Sequence, residues 1–423
     1  MESEIKDSNT FERVNATEQE ACNELSLSGY IRSGDKQKLP MLYASTKMHK
    51  NPIGFRFITA GRDTILQNLS ISVSKCLKLL LKTANISFNY KIKGIENHIS
   101  IIDNRNKVIN FINLANNSNG DRKCISTWDF STLYTNIPHD QLKANIRKFV
   151  CNIFECNEKV KNPKKFVCSS DYRKIAYYSK SRSRSNNVCF DRNQLIDAIE
   201  FIIDHSYIKF HNNIFRQQIG IPMGTNCAPF LANIYLHVYE YDYIKALNSK
   251  GDIFTAKCIA NMFRYQDDCV SINDNGLFSR HLKYIYPKEM VLKSTDISRD
   301  KCTFLDLTIS IYRGRFVYYM FDKRDDFGFA ISNYPNLKGN IPSMLAYGVY
   351  TSQIGRLCDV NSSAKRFFHE LAKMTVKFTT QGFDITKLYK RYKDFLNKSM
   401  WKWSKFNYNM FRNDSISKIF KGC

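Results

Sequence analysis

The chain has 423 residues, enough for two or three domains or for one large enzyme with several lobes. Its 63 Lys and Arg residues against 39 Asp and Glu give a net charge of +24, which predicts a polyanionic partner, most simply a nucleic acid; a merely basic protein is the alternative. The 13 cysteines lack zinc-finger spacing, and we expect them to be reduced thiols. The N-terminus is polar and is not a secretory signal, so we expect a cytosolic or nuclear protein. No apolar run approaches the length of a membrane span, so we expect no membrane partner.

The N-terminal part of the chain contains a predicted lead-in, a basic segment and a helix. Residues 1–38 are polar and weakly patterned, which predicts a poorly ordered lead-in with one short helix. A basic, loop-like segment with Lys47 and Arg56 follows. Apolar residues at helical spacing then predict a helix over residues 65–82.

The rest of the chain alternates predicted strands and helices. Periodicity and turn residues predict a buried strand over 124–130, a helix over 139–154, and an exposed basic insertion over about 157–190 with a β-hairpin around Tyr177 and Val188. They then predict a helix over 194–206, a hairpin over 207–216 and a long apolar helix over 228–247. Towards the C-terminus they predict a strand pair over 303–311 and 315–321, turning at Arg313-Gly314, and helices over 364–378 and 388–397.

The most informative segment is Tyr265–Asp268, which lies inside the apolar run 262–272. Burying an ionised carboxylate is very costly unless it is paired or ligates a metal. A strand, an acidic turn and a second strand present carboxylates in a way that suits Mg²⁺. Asp129, at the end of the first predicted strand, has the same character. Taken singly, each acid has an ordinary interpretation as a turn residue, a helix N-cap or a solvated hairpin tip.

The order of these segments resembles the right-hand fold of reverse transcriptases. Tyr265–Asp268 resembles their Tyr/Phe-x-Asp-Asp signature, and Asp129 resembles their first catalytic Asp. Four motifs resemble more narrowly those of the Penelope-like retroelement reverse transcriptases, the retroelement group closest to telomerase: Lys47–Pro52 with Phe55–Ile58, Leu133–Pro138, Gly220–Asn233 and Phe304–Leu307. The resemblance covers residues 40 to 395 and implies an α+β fold, with fingers over 39–122, a palm with an antiparallel sheet over 123–325, and a helical thumb with a basic tail over 326–423.

The resemblance also implies roles for particular residues. Two Mg²⁺ ions, or Mn²⁺ in their place, would be held by Asp129, Asp267 and the Phe130 carbonyl, with Asp268 in support. The triphosphate would be bound by Lys47 and Arg56, the sugar gated by Tyr134, and the templating base pair contacted by Met223 and Gly224. Lys293, with Lys301 as its alternative, would protonate pyrophosphate, and Lys390, Arg391 and Lys393 would bind nucleic acid.

The implied activity is RNA-directed DNA synthesis with an RNA template, a DNA primer and dNTPs, in the nucleus. A catalytically inactive nucleic-acid-binding protein derived from such an element and an RNA-templated RNA polymerase are the competing interpretations. Gln266 departs from the small or apolar residue that is commoner at its position. Tyr347–Tyr350 resembles half of a GIY-YIG endonuclease motif, but no second half follows at suitable spacing, so we expect no such domain.

Three assignments keep a structural alternative. Lys47 and Arg56 would be solvated charges of a loop if the other motifs were absent. Tyr134 would be a packed aromatic. The aromatic residues interleaved with the C-terminal lysines would either stack on bases or cover the core of the thumb, and the pattern does not choose between these roles.

Overall fold

The computed structural model describes residues 10–32, 34–48, 52–86, 92–95, 101–117, 123–156, 165–169, 176–179, 187–327, 329, 331, 333–403 and 406. The chain divides into two compact units, one of residues 1–103 and 128–294 and the other of residues 104–127 and 295–423. Most of the basic insertion, including its Lys-rich and Ser/Arg-rich runs, lies outside the described residues, as do His49, Lys50 and Asn51.

The strands, in chain order, are β1 (Phe11–Val14), β2 (Met41–Lys47), β3 (Gly54–Ala60), β4 (Ile125–Phe130), β5 (Lys165–Ser169), β6 (Tyr177–Ser179), β7 (Asn187–Phe190), β8 (Tyr207–Phe210), β9 (Asn213–Gln217), β10 (Met262–Tyr265), β11 (Asp268–Ile272), β12 (Leu292–Ser294), β13 (Lys301–Phe304), β14 (Leu307–Tyr312) and β15 (Arg315–Met320).

The helices are α1 (Glu18–Ser26), α2 (Gln67–Ile86), α3 (Asn106–Asn117), α4 (Leu133–Asn136), α5 (His139–Cys156), α6 (Arg192–Asp204), α7 (Ala228–Ser249), α8 (Ile253–Ala260), α9 (Leu277–Ile285), α10 (Ser343–Val360), α11 (Ala364–Thr380), α12 (Ile385–Lys398) and α13 (Met400–Trp403).

A four-stranded sheet in the order β10-β11-β4-β12, called the central sheet below, contains or borders the predicted acids. Its β4 strand carries Trp128 and Phe130 on one face, and both are buried. The Trp128 ring packs on Phe278 with centroids 4.8 Å apart, and the Phe130 ring packs on Tyr286 at 5.1 Å. Because side chains alternate along a strand, Asp129 projects to the opposite face, where it is half-buried.

The long helix α7 passes through the core of the first unit. Its buried residues occur around most of its circumference rather than along one stripe, which is the pattern of a helix surrounded by protein. Helices α5 and α8 pack against it. Pro229 lies in its first turn, where a missing backbone amide costs nothing.

A five-stranded sheet in the order β1-β9-β8-β2-β3 contains the N-terminal basic segment. The sequence predicts a loop there, and this prediction is wrong: β2 and β3 form an antiparallel hairpin. Polar and basic side chains along its exposed face hide the alternation that would indicate a strand. In the predicted lead-in, α1 is the expected short helix, but the structure adds β1, which pairs with β9.

Two smaller sheets differ from the sequence-based expectation. Strands β6 and β7 each pair with β5, so they are not the two arms of one hairpin. In the second unit, the first strand of the predicted pair is divided at Leu305, which has φ = +56° and reverses the chain between β13 and β14. A sheet in the order β13-β14-β15 results, and the turn at Arg313-Gly314 is present as expected.

The helices of the second unit bury an aromatic-rich core. Tyr347–Tyr350 lies inside α10, where Tyr350 is fully buried and its hydroxyl shares a 2.9 Å hydrogen bond with Thr375 Oγ1. The segment that resembles half of an endonuclease motif is therefore part of a packed helix. Across the described parts of the chain, no helix combines the length and the apolar character that crossing a bilayer demands.

Candidate active site

The structure brings the acids of two motifs together at one end of the central sheet. Asp129 is the penultimate residue of β4, and Asp268 begins β11, which is the neighbouring strand. Asp267 lies in the turn between β10 and β11, and its carbonyl accepts a 3.0 Å hydrogen bond from the Phe130 amide. All three acids are half-buried, so their carboxylates remain accessible to a ligand.

The donor set at this point consists of hard oxygen atoms, which suits Mg²⁺ or Mn²⁺. Two carboxylate-bearing segments meet here, and the Phe130 carbonyl projects to the same side of β4 as its amide, which means towards Asp267. Among the described residues, no group of three or more His, Cys, Asp or Glu side chains is arranged to hold a metal by itself. The residues present therefore fit the mode in which Mg²⁺ uses one or two carboxylates and completes its shell with substrate phosphates.

Lys293 lies directly beside the acids. In the antiparallel pair of β12 and β4, Lys293 is opposite Asp129. Directly opposite residues of an antiparallel pair share one face of the sheet, so this exposed cation stands on the acidic face. Its alternative, Lys301, pairs with Ser310 in the sheet of the second unit. Lys293 is therefore next to a candidate metal ligand.

Tyr134 contacts the acidic turn. Its hydroxyl donates a 3.4 Å hydrogen bond to Gln266 Oε1. Burial, and then the nearby charge of Asp267, raise the pKa of Tyr134 to about 12, so its hydroxyl is protonated at neutral pH. The ring is thus held against the turn that carries Asp267.

The turn before α7 is wedged between Tyr134 and strand β3. Gly220 has φ = +87°, and a Cβ there would lie 2.3 Å from the Tyr134 carbonyl oxygen, which also accepts a 2.7 Å hydrogen bond from Ile221. Gly224 has φ = +131°, and a Cβ there would lie 1.7 Å from the Thr59 carbonyl oxygen. Both positions therefore require glycine, for conformation and for space.

Met223 is fixed by the same contact with β3. Its carbonyl accepts a 2.6 Å hydrogen bond from the Thr59 amide, and its side chain is half-buried. The backbone around Met223 and Gly224 is therefore tied to the hairpin that carries the two candidate triphosphate ligands. This contact lies within the first unit.

Lys47 and Arg56 lie on one face of the β2–β3 hairpin. The register pairs Ser45 with Arg56 and Lys47 with Gly54. Since residues two apart in a strand share a face, both cations project to the same side. Arg56 is exposed and Lys47 is half-buried. A shared face is what two cations need in order to bind one polyphosphate.

The predicted nucleic-acid ligands Lys390, Arg391 and Lys393 lie on α12 of the second unit. Lys390 and Lys393 are exposed and Arg391 is half-buried, whereas Tyr392 and Phe395 of the same helix are buried in the core. The basic residues are therefore available to a ligand. The two aromatic residues instead serve the packing role that the sequence left open for them.

Sequence reasoning did not assign a role to Arg264, which is fully buried behind the acidic turn. Its guanidinium donates to Glu240 and Asn233 of α7 and to the Gln266 carbonyl. The only local signal is a charged residue inside an apolar strand, because both partners on α7 are more than 20 residues away in the sequence. Sequence reasoning also did not anticipate the 2.7 Å hydrogen bond between His139 Nε2 and the Gly220 carbonyl.

Comparison with solved structures shows that this α+β chain has the right-hand polymerase fold. The telomerase of Candida albicans, solved with a TWJ fragment of telomeric RNA, is similar to 97% of this chain, over 70% of its own length, with a TM-score of 0.58 and 12% identity.

Two further structures match over most of this chain at lower TM-scores. The apo telomerase of Candida tropicalis matches 93% of this chain and 70% of its own, with a TM-score of 0.48 and 13% identity. The BmCPV RNA-dependent RNA polymerase in its quiescent state matches 81% of this chain and 28% of its own, with a TM-score of 0.44 and 12% identity. No protein-family model and no curated protein sequence matches the chain.

Proposed function

We propose that this chain is an RNA-directed DNA polymerase of a Penelope-like retroelement, which adds dNTPs to the 3′ end of a DNA primer. The observation that carries the proposal is the junction of Asp129 and Asp267, two acids far apart in sequence that a Phe130–Asp267 backbone hydrogen bond holds at adjoining strand ends. The polymerase fold supports a nucleotidyltransferase, and the motifs support the particular group.

The reaction would be an in-line phosphoryl transfer, in which a protein supplies positioning and charge stabilisation. Asp129, Asp267 and the Phe130 carbonyl would hold two divalent cations, with Asp268 in support. When bound, these ions stabilise the charge on the attacking and leaving oxygens. Lys293, opposite Asp129, would donate the proton that pyrophosphate needs as it leaves.

The incoming nucleotide would be held from two sides. Lys47 and Arg56 would neutralise its triphosphate, and Arg56 would add the bidentate geometry of a guanidinium. The ring of Tyr134 would lie under the sugar and exclude a 2′-hydroxyl. The backbone of Met223 and Gly224 would lie against the templating base pair.

We further propose that residues 39–122 act as fingers, 123–325 as palm and 326–423 as thumb with a basic tail. An RNA template and DNA primer would be bound chiefly through their phosphates. The exposed Lys390 and Lys393, with Arg391, suit that task on α12. Access to chromosomal DNA would require the protein to reside in the nucleus.

Primer extension on an RNA template annealed to a DNA primer tests this function. With Mg²⁺, wild-type protein should extend the primer with dNTPs and not with rNTPs. Asp129→Asn and Asp267→Asn should each reduce extension more than about 100-fold, because even outer partners of metal ligands are worth about 10- to 100-fold. Asp204→Asn, which removes a surface carboxylate paired with Lys143, is the matched control and should extend normally.

The outcomes separate the competing functions. Extension with rNTPs would favour an RNA-templated RNA polymerase. No extension by wild type, with tight and salt-sensitive RNA binding retained, would favour a catalytically inactive binding protein derived from such an element. An Asp267→Asn protein that still extended primers would remove the metal-ligand assignment.

A further inference from the structure

The fully buried Arg264 makes five hydrogen bonds immediately behind the acidic turn. Its Nε and Nη2 donate to the two carboxylate oxygens of Glu240 at 2.7 and 3.3 Å. Its Nη1 and Nη2 donate to the side-chain and backbone oxygens of Asn233 at 2.7 and 3.0 Å. The remaining bond runs from Nη1 to the Gln266 carbonyl at 3.3 Å. Positions 233 and 240 are two turns apart on α7, so one face of that helix provides both anchors.

This guanidinium is held in a fixed position and in its charged form. Burial disfavours the charge of Arg264, but Glu240 more than offsets this, so the pKa of Arg264 is raised. The Tyr286 hydroxyl also donates a 2.8 Å hydrogen bond to that carboxylate, at Glu240 Oε1. The Arg264 carbonyl accepts a 3.0 Å hydrogen bond from the Ile102 amide, which fixes the strand as well as the side chain.

Gln266, whose carbonyl accepts one of the hydrogen bonds from Arg264, has an unusual backbone conformation. Gln266 has φ = +55°, a left-handed conformation that a non-glycine residue adopts only when its surroundings hold it there. It is joined on one side to Arg264 through its carbonyl and on the other to the Tyr134 hydroxyl through its side chain. The next residue is Asp267.

We infer that Arg264 is a positioning residue: anchored on Glu240 and Asn233, it fixes the carbonyl of Gln266 and thereby aims Asp267 at the metal site and supports Tyr134. The inference rests on the proposed polymerase function, since it assigns a purpose to a residue that touches no substrate. A lysine at this position would keep the charge but would lack the planar fork that reaches Glu240, Asn233 and Gln266 together.

Cation binding without turnover is the decisive measurement. Mn²⁺ is titrated, with detection of free Mn²⁺ by electron paramagnetic resonance, into protein bound to an RNA template, a 3′-dideoxy-terminated DNA primer and the next dNTP. Arg264→Lys should weaken Mn²⁺ binding about tenfold, the effect expected when a partner that orients a metal ligand is altered. In separate extension assays, the same variant should incorporate rNTPs more readily than wild type.

Two further variants complete the design. Arg147→Lys is the matched control, because Arg147 pairs with Glu200 on the surface and contacts no residue of the acidic turn. Asn233→Ala leaves the Arg264–Glu240 pair intact and removes the side-chain acceptor of Nη1. It should weaken Mn²⁺ binding in the same direction as Arg264→Lys, and it decides the question if Arg264→Lys does not fold. Thermal unfolding and affinity for the template–primer duplex are measured for every variant.

The inference and the proposed function fail in different ways. If wild type extends primers and binds Mn²⁺, but folded Arg264→Lys and Asn233→Ala stay within about twofold of its Mn²⁺ affinity, Arg264 is merely structural and the inference is overturned. If Mn²⁺ binding falls equally in Arg147→Lys, the effect is not specific and the inference is also overturned. If wild type neither binds Mn²⁺ nor extends primers, the proposed polymerase function is overturned, and the inference that rests on it is overturned with it.

Discussion

At the residue scale, Tyr134 combines a ring and a hydroxyl with separable roles. The hydroxyl donates to Gln266, while the ring lies beside the turn that carries Asp267. Tyr134 also packs against the hydrophobic core, as its structural alternative expects. Its contact with the second residue of the acidic motif connects it in addition to the candidate site.

Removing the ring tests its proposed role as a sugar gate. Tyr134→Ala should raise incorporation of rNTPs relative to dNTPs on the order of 10- to 200-fold, the range that a steric contact in a substrate pocket supports. The measurement is the ratio of kcat/KM for the two nucleotides. Tyr134→Phe is the control, because it keeps the ring and removes only the bond to Gln266. Unchanged discrimination in Tyr134→Ala would refute the gate.

At the scale of elements, the segment that carries Tyr134, the Gly220–Gly224 turn and the β2–β3 hairpin are joined by backbone contacts. The Tyr134 carbonyl accepts a hydrogen bond from the Ile221 amide, and the Met223 carbonyl accepts one from the Thr59 amide. Because these bonds use backbone atoms, they depend on chain geometry more than on side-chain identity. The glycines are the exception, since their lack of a Cβ permits the approach.

Gly224→Ala should therefore separate the turn from β3. A Cβ 1.7 Å from the Thr59 carbonyl oxygen forces a backbone shift, and we expect destabilisation of about 1–3 kcal/mol and loss of primer extension. Chemical denaturation measures the free energy of unfolding. Gly348→Ala is the matched control: it lies in α10 with no atom near its added Cβ, and it should be neutral or stabilising by about 0.5–1 kcal/mol. Equal stability of the two variants would contradict the close approach.

At the scale of the whole molecule, the net charge of +24 is the dominant feature. A polyanionic ligand releases counterions as lysines and arginines neutralise its phosphates, so its affinity depends steeply on salt. The structure adds that some cations have defined places: Lys47 and Arg56 share a hairpin face, and Lys390, Arg391 and Lys393 share one helix. Charge alone does not distinguish these roles.

The α12 cations should contribute to duplex binding without specifying its sequence. Changing Lys390, Arg391 and Lys393 together to Ala should weaken binding of an RNA–DNA duplex and reduce the slope of log K against log salt by up to about three, or about one for each lost phosphate contact. The control changes three exposed lysines in or near α7 and α8 to Ala, namely Lys245, Lys250 and Lys257. An unaltered slope in the α12 variant would show that this helix does not bind the duplex.

Most helices and the strands around the acids follow from local pattern. The predicted helix over 139–154 is α5 (His139–Cys156), and the predicted strand over 124–130 is β4 (Ile125–Phe130). Prediction of the strands failed where the hydrophobic alternation was weak or where a chain reversal divides one apolar run into two strands. The hairpin of β2 and β3 exposes a polar face, and the reversal at Leu305 uses a residue that rarely adopts positive φ.

The sequence by itself determined that acids interrupt apolar runs, because a carboxylate in a hydrophobic run is a local anomaly that the order of the residues reveals. It also determined the excess of positive charge. Only the tertiary structure decided that Asp129 adjoins Asp267, that Lys293 lies opposite Asp129, and that Arg264 is anchored on α7. These relations join residues distant in the chain, and strand register and helix packing, which are properties of the folded molecule, fix which of them meet.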